Sequence, residues 1–120
     1  MVPVKPVAWN NTLNNAATVM ALDLVKTGVT GSTSATPHTS SDGRTAADRV
    51  RAAGYSFSAF GENIGWGYSN AQESLHASNG WMPSPGHCES IMRPEFNEVA
   101  VSCVKGGNFG TVFVMELGAR

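Results

Sequence analysis

The apolar residues of this chain change period once along its length, and that change calls for helices packed on a sheet. From about Asn11 to Val25, the residues Leu13, Ala16, Ala17, Met20, Ala21 and Leu24 recur at i, i+3, i+4 and i+7. The spacing predicts an amphipathic helix with one buried face. Near the other end Val99, Val101 and Cys103 alternate with Ala100, Ser102 and Val104, and Thr111-Val112-Phe113-Val114-Met115 makes a second β-rich run. Lys105-Gly106-Gly107-Asn108 between them is turn chemistry, so the two runs predict an antiparallel hairpin. The hairpin is apolar on both faces for much of its length, as a strand pair between two layers has to be. Helices first and a hairpin last indicate an α+β domain. With 120 residues, the segment 1–120 is expected to be a single domain around one core.

Local signals mark the rest. Asn10 or Asn11 can cap the first helix and Gly28 ends it. Asn10-Asn11-Thr12 is a formal glycosylation sequon. Gly31 to Pro37 reads as a loop that delivers His38. Ser41-Asp42-Gly43 is a turn, and Thr45-Ala46-Ala47-Asp48 resembles a capping box with aspartate in place of glutamate. The short helix that follows has Ala46, Val50 and Ala53 on one face and stops at Gly54. Tyr55 to Ile64 reads as extended. Asn70 caps another helix, which the pattern carries to Trp81, with Trp81 facing inward. Ser84 is then an N-cap with Pro85 at the first helical position. His87 falls in the first turn of that helix, where the dipole favours a neutral imidazole, the form that accepts a proton or binds a metal.

The residues for chemistry are His38, Glu62 and His87, in Pro37-His38-Thr39-Ser40, Gly61-Glu62-Asn63-Ile64 and Trp81-Met82-Pro83-Ser84-Pro85-Gly86-His87. Two imidazoles and a carboxylate can hold a divalent metal with positions open to water or substrate. Such a cation lowers the pKa of bound water and supports hydrolysis. The same three groups can pass protons without a metal, or brace a cleft by hydrogen bonds alone. No nucleophile elbow and no His-Glu-x-x-His helix occurs. Ser40 and Ser84 read as turn and cap residues, and Asn63 as a side chain steadying its own turn. Trp66 and Tyr68, flanked by glycines, read as loop aromatics at a surface site. Asp42, Arg44, Asp48 and Arg49 read as a solvated, ion-paired face.

A formal net charge of −1 from 8 basic and 9 acidic residues, with no basic stripe, excludes nucleic acid as a partner. No run of 18 apolar residues exists, so no transmembrane segment is expected. Met1-Val2-Pro3-Val4-Lys5-Pro6-Val7 has no apolar h-region and is not a signal peptide. Taken literally that start means a cytoplasmic protein, unless a leader has been removed. Cys88 and Cys103 argue the other way. They read as a disulfide, which would contribute roughly 3 kcal/mol in the chain-entropy model and needs an oxidising compartment. Two buried thiols are the alternative, and nothing near Cys88 suggests a thiol nucleophile beside His87.

Taken in order, His38-Thr39-Ser40-Ser41-Asp42-Gly43, Arg49-Val50-Arg51-Ala52-Ala53-Gly54-Tyr55, Gly61-Glu62-Asn63-Ile64 and Trp81-x-x-Ser84-Pro85-Gly86-His87 resemble the CAP superfamily. That superfamily holds the cysteine-rich secretory proteins, antigen 5 and pathogenesis-related 1 proteins, and its fold is also called the SCP domain. The resemblance covers nearly the whole chain and is closest to the compact bacterial branch. It implies a three-layer α-β-α sandwich with a small central antiparallel sheet, secretion, and a cleft where His38, Glu62 and His87 meet. A second family glutamate aligns with Ser84, so that acid is absent here. Val114 also stands where an aromatic is more usual. Members of the superfamily have been proposed as metal-binding proteins, proteases, sterol or lipid carriers and signalling modules, so the fold implies no one chemistry. The expectation is a secreted or periplasmic protein whose His38, Glu62 and His87 bind a divalent metal, zinc, and act as a peptidase-like hydrolase. The alternative is a non-catalytic extracellular module using the cleft or the Gly65–Tyr68 loop. Its partner is expected to be a peptide, a lipid or sterol, or a glycan, and the chain a monomer or weak dimer.

Overall fold

A computed structural model describes residues 7–31, 34 and 36–120. The elements are β1 (Ala8–Trp9), α1 (Asn11–Thr27), α2 (Ala46–Ala52), β2 (Ala59–Trp66), α3 (Ala71–His76), α4 (Pro85–Ile91), β3 (Glu98–Lys105) and β4 (Thr111–Ala119). The strands form one sheet in the order β1-β3-β4-β2. The expected hairpin is β3–β4, with Val101 opposite Met115. Strand β2 runs antiparallel along the other side of β4, placing Glu62 opposite Glu116. Strand β1 pairs with β3 in parallel, so the sheet is mixed rather than wholly antiparallel.

Alternation along the strands sorts their side chains onto two faces. On one face α1 packs Ala17, Met20, Ala21 and Leu24 against Ile64, Val112 and Val114. Leu13 and Ala16 meet Val50 of α2, Tyr55 and Ala100. On the other face Phe113, Met115 and Leu117 pack with Tyr68, Trp81 and Phe96 from the segments around α3 and α4. The result is an α-β-α sandwich. Gly61 and Gly65 make room for the second layer. A Cβ on Gly61 would stand 3.1 Å from the Phe96 ring, and one on Gly65 would run into Tyr68.

The caps follow their residue types. The Asn10 side chain accepts from the Leu13 N–H at 3.0 Å, and Gly28 closes α1 at φ 71°, where a side chain would be strained. The amide nitrogen of Asn10 also donates to Glu98 at 2.8 Å, so the asparagine of the sequon is held at both ends of its amide. Glu98 accepts from Tyr55 and Arg120 as well, tying the helix start and the chain end to β3. Thr45 and Asp48 form the capping box reciprocally.

Two expectations are corrected. Helix α3 ends at His76 rather than continuing to Trp81. Beyond it the Gly80 N–H bonds to the Ala77 carbonyl and the Trp81 N–H to the Ser74 carbonyl, both at 2.7 Å. This turn drives the Trp81 ring into the core, where its indole N–H donates to the Ile64 carbonyl at 3.1 Å. Burying the largest side chain of the domain outweighs a turn of helix worth only tenths of a kcal/mol per residue, as an order of magnitude.

The second correction is the disulfide, because none joins Cys88 and Cys103. Cys88 is buried in α4, which packs against β2, whereas Cys103 is exposed on β3. Strand β4 lies between β2 and β3, so the helix and Cys103 are about 10 Å apart across the sheet, beyond the roughly 7 Å Cα limit for a bridge. A thiol reagent should therefore label Cys103 alone in the native protein and both cysteines in denaturant without reductant. No labelling in denaturant would restore the disulfide. Among the described residues no helix is long and apolar enough to cross a membrane.

Candidate functional site

Glu62 lies mid-strand in β2 on the face toward α2, with its side chain 2% exposed. The group that meets it is Arg49 of α2, whose side chain is 0% exposed. This overturns the expectation of a solvated face for Arg49. Asp42 and Arg44 do pair in solvent at 2.7 Å, and Asp48 caps the helix, but Arg49 turns inward beside Val50. It can do so because acceptors wait for it. Nη1 donates to the Arg44 carbonyl at 3.0 Å. Nη2 donates to the His38 carbonyl at 2.9 Å and to both Glu62 oxygens at 3.0 and 2.8 Å. One guanidinium thus fastens the loop from His38 to Arg44 onto strand β2.

The His38 ring approaches the same carboxylate, Nδ1 standing 2.8 Å from Glu62 Oε1. A carboxylate only accepts, so Nδ1 carries the proton and donates to Glu62. Burial pushes the Glu62 pKa up, but hydrogen bonds with Glu116 and His38 and the charge of Arg49 outweigh it and bring it down to about 2.

Sequence reasoning missed Glu116. It sits on β4 directly across from Glu62 and is 0% exposed. Burial raises its pKa well above the ordinary carboxyl value, the Glu62 carboxylate raises it further, and only Arg49 opposes. The one hint in the sequence is a glutamate between Met115 and Leu117 in an otherwise apolar strand.

His87 occupies the first turn of α4, with Nδ1 2.9 Å from Ser84 Oγ. Ser84 is the N-cap by position, yet its hydroxyl makes no capping bond and serves His87 instead. Burial and then the nearby His38 lower the His87 pKa, which keeps the ring neutral. His38 and His87 are therefore brought close enough to interact.

The three residues do not assemble into the expected zinc-ligand set. Both Nδ1 atoms are committed, and both Glu62 oxygens face Arg49. Only the two Nε2 atoms remain, and among the described residues no group of three or more His, Cys, Asp or Glu side chains could hold a metal ion. A three-ligand centre does not fit this donor set, and Glu62 acts as an ion-pair partner rather than a ligand. The physical reason is the inward turn of Arg49.

Beside His87 opens a cleft of about 650 Å³, lined among others by Trp66, Tyr68, Asn79, Ser84, His87 and Phe109. The Trp66 indole N–H is tied to the Val29 carbonyl at 3.0 Å. Tyr68 proves to be core rather than surface, stacked edge-on against Trp81 and Phe113 with its hydroxyl on the Asn79 carbonyl at 2.6 Å. Phe109, in the β3–β4 turn, is 59% exposed. Among the described residues, no Asp, Glu, Lys or Arg side chain lines the cleft.

The domain is thus an α-β-α sandwich with His87 in the lining of its cleft and the His38–Glu62–Arg49 group outside that lining. The model of the Cysteine-rich secretory protein family, CAP, matches residues 1–117, and the chain belongs to that family. A match of 34% identity over 64 residues links it to the uncharacterised protein YkwD of Bacillus subtilis, covering 53% of this chain and 24% of YkwD. The chain thus spans about a quarter of the length of that relative. Among solved structures, an outer surface protein of Borrelia burgdorferi superposes with a TM-score of 0.78 at 21% identity, covering 98% of this chain and 80% of the other. An extracellular protein of Bacillus anthracis containing an SCP domain gives a TM-score of 0.73 at 21% identity, covering 98% of this chain and 35% of the other. These two likenesses are likenesses of fold.

Proposed function

We propose that this chain is an extracellular CAP-family binding module whose cleft holds an uncharged glycan. The observation that carries the reading is the lining of the cleft. Trp66 and Phe109 offer aromatic surface, Asn79, Ser84 and His87 offer hydrogen-bonding groups, and no Asp, Glu, Lys or Arg among the described residues takes part. Sugar rings have the matching character, with apolar faces that stack on aromatics and hydroxyls that bond at their edges. A sterol or acyl chain is better served by an enclosed and mostly apolar cavity. The likeness to an outer surface protein and to an extracellular one supports the location. A zinc-dependent peptidase reading would need a metal-held water, for which the donors are not assembled among the described residues.

Titration calorimetry with a tetramer of β-1,4-linked N-acetylglucosamine tests the reading. Wild type should give saturable heat. Phe109→Ala, which removes an exposed ring and leaves the core intact, should bind about tenfold more weakly, the equivalent of about 1.4 kcal/mol. Equal affinity in both proteins, or no heat with wild type, would overturn the proposal.

A further inference from the structure

Two carboxyls and one guanidinium meet between β2, β4 and α2. Glu62 and Glu116 are cross-strand partners, and residues so placed hold their Cβ atoms about 5 Å apart. Glu62 is supplied with Arg49 and His38. Glu116 is not, because no donor among the described residues reaches either of its oxygens. Its polar neighbour is the Glu62 carboxylate itself, directly across the strand pair, and Glu116 is buried beside it with both oxygens unpartnered. Two carboxylates are both acceptors and repel, so a hydrogen bond between the two groups requires that one of them carry a proton.

The surroundings say which one. Glu62 faces the Arg49 guanidinium and the His38 N–H, both of which favour its ionised form. On the sheet side, β3 presents Ala100 in register with Glu116. The buried stripe of α1 is apolar throughout, consisting of Leu13, Ala16, Ala17, Met20, Ala21 and Leu24. Arg49 from α2 is the cation that bears on Glu116, and it is already paired. A second buried negative charge would have no partner of its own, a situation costing several kcal/mol as an order of magnitude.

We propose that Glu116 is a resident proton donor, a neutral acid whose hydrogen bond fixes the Glu62 carboxylate and, through it, His38 and the loop to Arg44. Glu116 is then a positioning residue at the far end of a relay from Glu116 to Glu62 to His38 Nδ1. The assignment stands apart from the glycan reading, since neither carboxyl lines the cleft.

Infrared spectroscopy of the chain labelled with ¹³C-glutamate at neutral pH reads the proton directly. Wild type should show one protonated carboxyl band, lost in Glu116→Gln. Absence of the band, or its survival in that variant, overturns the proposal. The positioning role is read by amide exchange at Ser40 and Gly43, whose N–H groups bond to the Arg44 and Ser40 carbonyls at 2.9 Å. Glu116→Gln keeps a donor toward Glu62 and should retain the protection of the loop. Glu116→Leu lacks one and should exchange there about tenfold faster, with the β3–β4 amides unchanged. Equal protection in Leu and Gln variants would remove the positioning role. Should a variant fail to fold, the wild-type band decides alone.

Discussion

Arg49→Met should destabilise the domain by about 3–5 kcal/mol, a large part of the roughly 5–15 kcal/mol that holds a domain of this size together. Methionine can fill much of the space left by the arginine stem, so the loss is not chiefly one of packing. It arises because Glu62 would be left ionised, buried and without its cation, while the carbonyls of His38 and Arg44 would each lose the bond from the guanidinium. The Arg49→Met/Glu62→Gln double variant should recover much of the loss, because it removes the uncompensated charge. Urea midpoints for the single and double variants measure both effects. A single-variant loss under about 1 kcal/mol, the scale of an exposed pair, would show that Arg49 is solvated after all.

The second large effect is a dependence of stability on pH with opposite signs for the two carboxyls. The folded-state pKa of Glu116 is raised well above the ordinary value of 4.5 by burial and by the Glu62 carboxylate. Its contribution is therefore complete below about 4.5 and is lost as pH rises toward the folded value. While Glu116 keeps its proton in the folded state only, the loss is about 1.4 kcal/mol per pH unit. Glu62 does the reverse. Its pKa falls to about 2 in the fold, so its contribution is present above 4.5 and disappears as pH drops toward 2. His87, with a lowered pKa, adds to the acid side, since protonating it in the fold is disfavoured below its ordinary value of 6.5. Thermal melts of wild type and Glu116→Gln across pH 5 to 8 should diverge, the variant gaining relative stability as pH rises. Parallel curves would mean that Glu116 ionises as an ordinary carboxyl.

Much of the site was legible in the sequence, but its wiring was not. His38, Glu62 and His87 could be picked out because imidazoles and a carboxylate stand in short segments of recognisable pattern. Their roles depended on groups those segments do not contain. The alternation of charges from Asp42 to Arg49 looks like a solvated face, and for Asp42 and Arg44 it is one. Arg49 escapes that pattern because its acceptors are carbonyls of a loop and a carboxylate on a distant strand. Glu116 escaped because the sequence shows an acid in a β-rich run without showing which residue lies across from it.

What the sequence determined by itself was set by near neighbours. The stripe of α1 from Leu13 to Leu24, the Asn10, Gly28 and Thr45 caps, and the β3–β4 hairpin each follow from residues within a few positions of one another. Period and capping chemistry act over one turn or one strand. Only the tertiary structure decided that Glu62 faces Glu116, that Arg49 is buried between loop and strand, that Cys88 and Cys103 lie too far apart to bridge, and that Trp81 leaves its helix for the core. Each of those depends on register or packing between segments many residues apart. Alternation names the face on which a side chain lies, but only the ladder of hydrogen bonds between strands names its partner.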